Sequence, residues 1–569
     1  MILPTPFNNP SPKRRPNLPG VAALILCLPI IALSQFIAHI RIDDIDGWFF
    51  LHYGRELLGG ATLYSQLWDI KPPAIFWINA LGLGLSGGSP VGVWVLCGLA
   101  SIMSAVLFYR AARRAYGPSA AAIGTVFAVM YFNLWTFHVG CNRPATFLIV
   151  TELGCMGLYL KAITQSTKST RMLFWTGVCG GLGLWFKQTA FAAPAAIFIH
   201  LLIARSGTGP ANASRWKKVS QFVTGYIASV ALLVIILALT SDSHWAWDAI
   251  VGFNRNFFAP GIATSFTPSL RWMLPHTRGL ELPLILALAT LAQPVIGLFQ
   301  RHPTSDTPPQ LEANSRPPVL LLFWLWMFLA IYLSAVGPHN RPMYLAVALP
   351  PLVALATHSV SLLINPGPGQ LGRAPTHYVV IAILWFAFMI WAPLRMQLEF
   401  ALRQYHWKER GPDPRFIEIV EAIGRHTQPE DAIFADGYAP ELYWRANRKQ
   451  AIRYMGTEKI VQLQKLGQPL MDETTRSLIA ARPRVILFDF NRFHTKDQPN
   501  LASVETLENW VRDHYHLPEP SRFPTLWVRQ SNPNKRFKSI CYRTAVRKPS
   551  RQESPIADES ENNVAHQDR

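Results

Sequence analysis

Charge is what this 569-residue chain has least of. Asp, Glu, Lys and Arg together make up 15% of it, where an ordinary soluble protein carries about 25%. Acids are the scarcer sign, 34 against 53 Lys and Arg. The six cysteines form no CxxC pair and no zinc-like spacing, and most fall in or beside apolar runs, so they read as small buried hydrophobes. No Walker loop, GxSxG or HExxH occurs. The glycine-rich run at 81–88 sits in an apolar segment, without the strand-to-helix context of a phosphate loop. Soluble nucleotide chemistry is therefore unsupported. An internal repeat is also missing, which counts against a secondary transporter.

What the chain does have is apolar length. Half of it is hydrophobic and it holds 19 Trp. Runs near the ~20 residues that cross a bilayer fall at 21–40, 91–109, 119–137, 145–160, 172–186, 190–204, 221–240, 281–299, 318–336, 343–363 and 377–393. The expected fold class is thus mainly α, a polytopic membrane protein of about 11–13 transmembrane helices. The run 74–88 is short and glycine-rich and stays on the outer side. The net charge of +19 would suggest nucleic acid in a soluble protein. Here the bases cluster in alternate short segments, such as Lys13–Arg15, Arg110–Arg114 and Arg215–Lys218. The positive-inside rule accounts for that pattern and puts the N-terminus in the cytoplasm; no nucleic-acid partner is called for.

Residues 1–20 read as a disordered cytoplasmic tail before a retained signal anchor, and 21–395 as the membrane domain. From about 411 the composition becomes that of a soluble chain. Strand-like DAIFAD and RVILFDF alternate with helical PDPRFIEIVEAIGRHT, ETTRSLIAARP and LASVETLENWVRDHY, which predicts a small extracytoplasmic α/β domain over 411–530. Residues 531–569 lack apolar periodicity and read as disordered. The outer segment 241–280 is rich in Trp and Phe and broken by Pro260, Pro268 and Pro275, which predicts an irregular loop at headgroup level.

Chemistry concentrates in the first outer segment, 41–90. Asp43, Asp44 and Asp46 follow the first span directly. They serve as solvated loop charges, or one caps a helix that starts near Gly47. In that helix Phe49, Phe50, Tyr53, Leu57 and Leu58 share one apolar face, expected to lie on the membrane. Asp46 would then stand at the lipid–water boundary, where a carboxylate can take a proton from a hydroxyl or help to hold a divalent metal. Lys71 precedes two prolines that stiffen its backbone. It can present a point charge to a phosphate, or snorkel beside Asp69. Lys187 with Gln188, and Arg143 after Asn142, fall at turns where snorkelling serves equally well. His339 and Arg341 in the turn 337–342 could bind an anionic headgroup.

Three strings carry a resemblance. Asp46-Gly47-Trp48-Phe49-Phe50, Gly60-Ala61-Thr62-Leu63-Tyr64 and Trp68-Asp69-Ile70-Lys71-Pro72-Pro73 resemble, in order and spacing, the motifs of a known family. These are the integral-membrane GT-C glycosyltransferases of the protein-mannosyltransferase and aminoarabinose-transferase superfamily, especially its RgtA/B/C/D-like members. Weaker matches lie at 181–191, at 340–356 and in the C-terminal part, so the resemblance spans about 20–490. It implies a polyprenyl-phosphate-linked sugar as donor at the outer face of the plasma (inner) membrane. A hydroxyl of an envelope glycan, lipid or protein would be the acceptor, with inversion at the sugar. It implies Asp46 as the catalytic carboxylate and Lys71 as a contact for the lipid phosphate, with Asp69, Lys187, His339 and Arg341 nearby. Because glycine follows Asp46, Asp44 or Asp43 could carry the acid's role, and a divalent metal stays open. A polyprenyl-lipid flippase, which would bury charges within spans, and a non-catalytic scaffold are the other two readings.

Overall fold

The computed structural model describes residues 18–40, 45–137, 140–164, 169–203, 211–258, 267–268, 271, 274–277, 279–299, 319–335, 342–364, 391, 393–406, 414–436, 440–455, 467–488, 502–516 and 526–529. The N-terminal part is helical: α1 (Leu18–Ile40), α2 (Ile45–Leu58), α3 (Ala74–Leu85), α4 (Val91–Tyr116), α5 (Pro118–Phe132), α6 (Pro144–Thr164), α7 (Ser169–Gly183), α8 (Ala192–Ile203) and α9 (Ala211–Thr240). Short α10 (Ser243–Trp247) and α11 (Phe253–Phe258) follow, joined by a π-turn over Asp248–Gly252. Then come α12 (Glu281–Phe299), α13 (Val319–Ala335), a 3-10 run over Pro342–Ala348, α14 (Leu349–Ile364) and a helix over 393–406.

Five of these segments are long and apolar enough to cross a membrane: Leu18–His39, Val91–Tyr116, Pro144–Thr164, Arg215–Thr240 and Met343–Ile364. Five shorter apolar helices stand beside them among the described residues. The molecule is a multi-pass membrane protein. Burial sorts the long helices. The apolar windows of Leu18–His39 and Arg215–Thr240 are each 28% buried, against 67% for Pro144–Thr164 and 72% for Met343–Ile364. The first two therefore turn most of their surface to lipid, and the last two form the centre of the bundle.

With lipid on the outside, helices are not driven together by the hydrophobic effect, and close packing of small residues takes over. α7 and α9 show this: a Cβ on Gly177 would overlap the Phe222 carbonyl oxygen, and one on Gly225 would overlap that of Phe174. Backbone meets backbone at that crossing, so any larger residue forces the pair apart.

The C-terminal part holds α15 (Pro414–His426), β1 (Ala432–Ala435), α16 (Pro440–Ala446), β2 (Lys449–Gln450), α17 (Gly467–Ala481), β3 (Val485–Leu487), α18 (Ala502–His514), β4 (Tyr515–His516) and β5 (Leu526–Arg529). They form one five-stranded sheet in the order β2-β1-β3-β5-β4. β2, β1 and β3 are parallel, with Phe434 opposite Ile486, and β5 runs antiparallel to both β3 and β4.

The sheet domain is seated on α2. Arg55 donates to the carbonyls of Tyr443 (3.0 Å) and Trp444 (3.1 Å) and to Asn447 Oδ1 (3.0 Å) at the end of α16. A helix C-terminus leaves such carbonyls without internal partners, and a guanidinium suits them in charge and geometry. Beside it His52 is fully buried, and burial together with the Arg55 charge pushes its imidazole down to about 3. The Trp68 amide donates to the Arg453 carbonyl at 3.0 Å, and one apolar core runs from Phe49, Phe50 and Phe76 into Ile433, Tyr443 and Tyr454.

Two expectations change here. The apolar face of α2 does not lie on lipid: Phe49, Phe50 and Tyr53 are 1%, 0% and 0% exposed, packed on Phe76 and the sheet domain. The segment after α9 is not irregular from its start, since 243–258 is helical throughout and its three prolines all come later. Asp43, Asp44, His339 and Arg341, and most of the run 377–393, lie outside the described residues.

Candidate active site

Asp46 stands in the first turn of α2, where the helix dipole favours an anion. Its Oδ2 is 2.6 Å from Nη1 of Arg143, with the two side chains 26% and 8% exposed. Arg143 is set in place by the corner that precedes α6. There Gly140 adopts a left-handed φ of +80°, its amide donates to Thr146 Oγ1 (3.0 Å), and that hydroxyl donates to the Cys141 carbonyl (2.7 Å). Gln35 of α1 holds the Gly140 carbonyl. Next to Arg143, the Asn142 and Asn79 amides exchange hydrogen bonds at 2.7 and 2.9 Å, and Asn142 also donates to the Gly47 carbonyl at 3.3 Å. Both asparagines are buried. The acid, its arginine and the start of α2 form one fixed unit.

Residues 68–71 are held at nearly every carbonyl. Tyr53 Oη donates to Trp68 O (2.9 Å), Gln188 Nε2 and Asn254 Nδ2 donate to Ile70 O (3.1 and 3.0 Å), and Tyr64 Oη donates to Lys71 O (2.9 Å). Burial raises both phenols, with the Asp69 charge adding to it, so they stay neutral donors. Tyr64 takes a φ of +71°, a conformation that costs a non-glycine residue about 1–2 kcal/mol and that the fold maintains here. Asp69, 1% exposed, accepts from the Lys71 amide at 2.8 Å and sits 3.3 Å from its Nζ. The Lys71 ammonium lies over the rings of Phe49 (5.4 Å) and Phe50 (5.2 Å). Its stem is thus walled by aromatics, and the head is partly open.

Lys187 comes to the same place from the turn after α7. Its Nζ lies 4.7 Å from the centre of the Tyr344 ring. Burial pushes its ammonium down to about 8, and the Lys71 charge adds to that, while Glu152 opposes it. Three segments far apart in sequence thus deliver Asp46 with Arg143, Lys71 with Asp69, and Lys187 to the end of the bundle covered by the sheet domain. No group of three or more His, Cys, Asp or Glu side chains suited to a metal occurs among the described residues.

The comparisons can be read against this geometry. The family model for dolichyl-phosphate-mannose-protein mannosyltransferase matches residues 70–247, a stretch that takes in Lys71, Arg143 and Lys187. The undecaprenyl phosphate-alpha-4-amino-4-deoxy-L-arabinose arabinosyl transferase of Pseudomonas aeruginosa is 26% identical over 314 residues, 53% of each chain. A transferase of the same description from Proteus mirabilis is 26% identical over 37% of this chain and 39% of its own. The alignments thus span about half the length of these relatives or less. Among solved structures, ArnT from Cupriavidus metallidurans bound to undecaprenyl phosphate superposes with a TM-score of 0.54 at 14% identity, over 79% of this chain and 91% of that one. The chain has the GT-C fold seen in these integral-membrane proteins. The Archaeoglobus fulgidus oligosaccharyltransferase has the same GT-C fold, with a TM-score of 0.52 at 10% identity over 90% of this chain and 74% of that one.

The sequence did not single out Asn79, Asn254 or Glu152, it placed Tyr53 only on the apolar face of α2, and it offered Arg143 only as a snorkelling base. The one usable signal was compositional. Asn142 and Arg143 are strongly polar residues wedged between apolar runs and fixed by Pro144, a poor place for a charge with no partner in the fold.

Proposed function

We propose that this GT-C protein transfers a sugar from a polyprenyl-phosphate-linked donor to a hydroxyl of an envelope lipid, glycan or protein. The transfer takes place at the outer face of the plasma membrane, with the N-terminus in the cytoplasm and the sheet domain outside. The reading rests on one observation above the others: the Lys71 ammonium lies over Phe49 and Phe50, one turn along α2 from Asp46 and its Arg143 partner, and the Lys187 ammonium is brought in from the turn after α7 beside Tyr344. Two such cations suit an anion that arrives and leaves, and a lipid phosphate is the anion available at a membrane. The names of the relatives favour an undecaprenyl carrier and a hexosyl or pentosyl unit.

In the reaction, the acceptor oxygen attacks the anomeric carbon from the face opposite the phosphate. A carbon–oxygen bond forms as the bond from that carbon to the phosphate oxygen breaks, and the sugar inverts. Asp46 takes the acceptor's proton, oriented by Arg143. The electron pair of the broken bond leaves on the phosphate, where Lys71 and Lys187 stabilise the added charge. Asp69 fixes Lys71 through its backbone amide and its ammonium. Asp44, His339 and Arg341 remain candidates for the acid's role and for the phosphate.

The test supplies membranes holding the protein with undecaprenyl-phosphate sugars and follows label into acceptor. Transfer by wild type, lost in Asp46→Asn or Asp44→Asn and weakened in Lys71→Ala, supports the reading. Undiminished transfer by all of these variants sinks the site. Wild type that moves the lipid across vesicles without consuming it would favour a flippase, for which the ionisable Glu152 buried within α6 would be a starting point.

A further inference from the structure

Among the twelve residues of α3, AIFWINALGLGL, only Asn79 carries an amide, a charge or a hydroxyl, and it is 0% exposed. An amide taken out of water is costly unless it is hydrogen-bonded, and a leucine would fill the same space without that cost. Asn79 spends its bonds in one direction. Its Nδ2 donates to the Ile75 carbonyl (2.8 Å) and to Asn142 Oδ1 (2.9 Å), and its Oδ1 accepts from Asn142 Nδ2 (2.7 Å). The two amides thus close a ring. The other Nδ2 hydrogen of Asn142 goes to the Gly47 carbonyl at 3.3 Å, so all four amide hydrogens are used.

Asn142 is the chain neighbour of Arg143, and Gly47 that of Asp46. The ring therefore ties α3 to both members of the 2.6 Å ion pair. α2 is pressed onto the same residue: a Cβ on Gly54 would stand 2.7 Å from the Asn79 Cβ and 2.8 Å from the Ala80 amide nitrogen. The start of α3 belongs to the cationic half of the site. Ala74 follows Lys71 by three residues, and its amide donates at 3.0 Å to the carbonyl of Trp185, two residues short of Lys187. From Ala74 to Asn79 is about 7.5 Å along the helix axis. α3 is thus a spacer, with the lysine-bearing segments fastened at its first residue and the acid with its arginine fastened at its sixth.

We propose that Asn79 is a positioning residue: its amide ring with Asn142 sets how far, and at what angle, the Asp46 carboxylate stands from a phosphate held by Lys71 and Lys187. In-line displacement needs the proton acceptor on the side of the sugar opposite the leaving phosphate, and an error of about 1 Å there costs on the order of a hundredfold in rate. Lys71 is fixed by Tyr64 and Asp69, so loosening the ring leaves the donor grip in place and disturbs the aim. The inference rests on the function proposed above, because it treats Asp46 as the proton acceptor and the lysines as phosphate contacts.

Asn79→Leu, Asn142→Leu and the double variant, purified in detergent, are compared in three ways: by melting temperature, by carbodiimide labelling of Asp46 followed by mass spectrometry, and in the transfer assay. Each single variant buries one amide without its partner and should melt lower; the double variant removes both and should regain most of the loss. Additive losses overturn the ring. Arg143 shields the Asp46 carboxylate in wild type, so labelling should rise several-fold in both single variants, towards the level of Arg143→Gln, and stay high in the double variant. In all three, kcat should fall about tenfold with donor KM within about twofold of wild type. A double variant with wild-type labelling or wild-type kcat overturns the proposal, because the ring would then only hold the fold together. If a single variant folds too poorly to purify, the double variant carries that decision alone. Raised labelling in a protein whose wild type transfers no sugar leaves the positioning of the ion pair standing and removes the transferase reading instead.

Discussion

The acidic and the cationic halves of the site are held in opposite ways. Asp46 has its opposite charge in direct contact, the buried Arg143 at 2.6 Å, and that arginine is braced from α1, α3 and α6. The lysines are less completely matched. Asp69 stands 3.3 Å from Lys71, most of whose fixing is through its backbone. Lys187 has an aromatic ring beside it and a like charge within reach. The difference follows from what each half has to do. A proton acceptor must be aimed, and an ion pair aims it. A binding site for an anionic leaving group must keep some positive charge uncompensated, because a lysine already satisfied by a carboxylate gains little from a phosphate.

Four substitutions or conditions test that contrast, from the strongest effect down. Asp46→Asn removes the proton acceptor and keeps the shape, so kcat should fall by about 10²–10⁴-fold; a loss of less than tenfold would mean that the acid lies elsewhere, with Asp44→Asn the next variant to assay. Lys71→Ala should cost about 10–100-fold in kcat/KM, some 1.4–2.7 kcal/mol of transition-state stabilisation, and Lys71→Arg should recover part of it; equal losses for both would point to the Asp69 turn rather than the charge. Arg143→Gln should lower kcat by about tenfold with donor KM nearly unchanged, since it disturbs aim and leaves the lysines alone; a rise in donor KM alone would place Arg143 in the cationic half. The mildest effect is that of pH. Lys187 is held down to about 8, so it is charged below that value and neutral above it. Donor affinity should therefore be full near pH 7 and fall as pH rises through about 8, and in Lys187→Arg the decline should move to higher pH.

The sequence exposed the halves unequally. Asp46, Lys71 and Lys187 stand out because each is a charge beside an apolar run, and the long helices follow from run length alone. Arg143 could not be paired in advance, since its acid lies 97 residues earlier and nothing local records that contact. The face of α2 was misassigned for a deeper reason. Hydrophobic periodicity says that one side of a helix avoids water, but in a membrane protein lipid and protein interior are equally apolar. Only the contact of Phe49 and Phe50 with Phe76 separates the two. β2 and β4, two residues each, are too short for alternation to register. Proline positions misled at 241–280, where the breaks begin only after the helical run ends.

The contacts around Asp46 and Lys71 also fix the parity of the chain's path. Arg143 meets Asp46, Gln188 and Asn254 both reach the Ile70 carbonyl, and the Arg453 carbonyl receives the Trp68 amide. These points therefore share one face of the membrane. A chain that leaves a face and returns to it has crossed an even number of times. Among the described residues, an even number of crossings therefore separates Lys71 from Arg143, Arg143 from Gln188 and Gln188 from Asn254, with α4, α6 and α9 the long member of each passage. The sidedness of the molecule is thereby reduced to a single binary choice: whichever compartment receives Lys71 receives Asp46, Lys187 and the sheet domain with it.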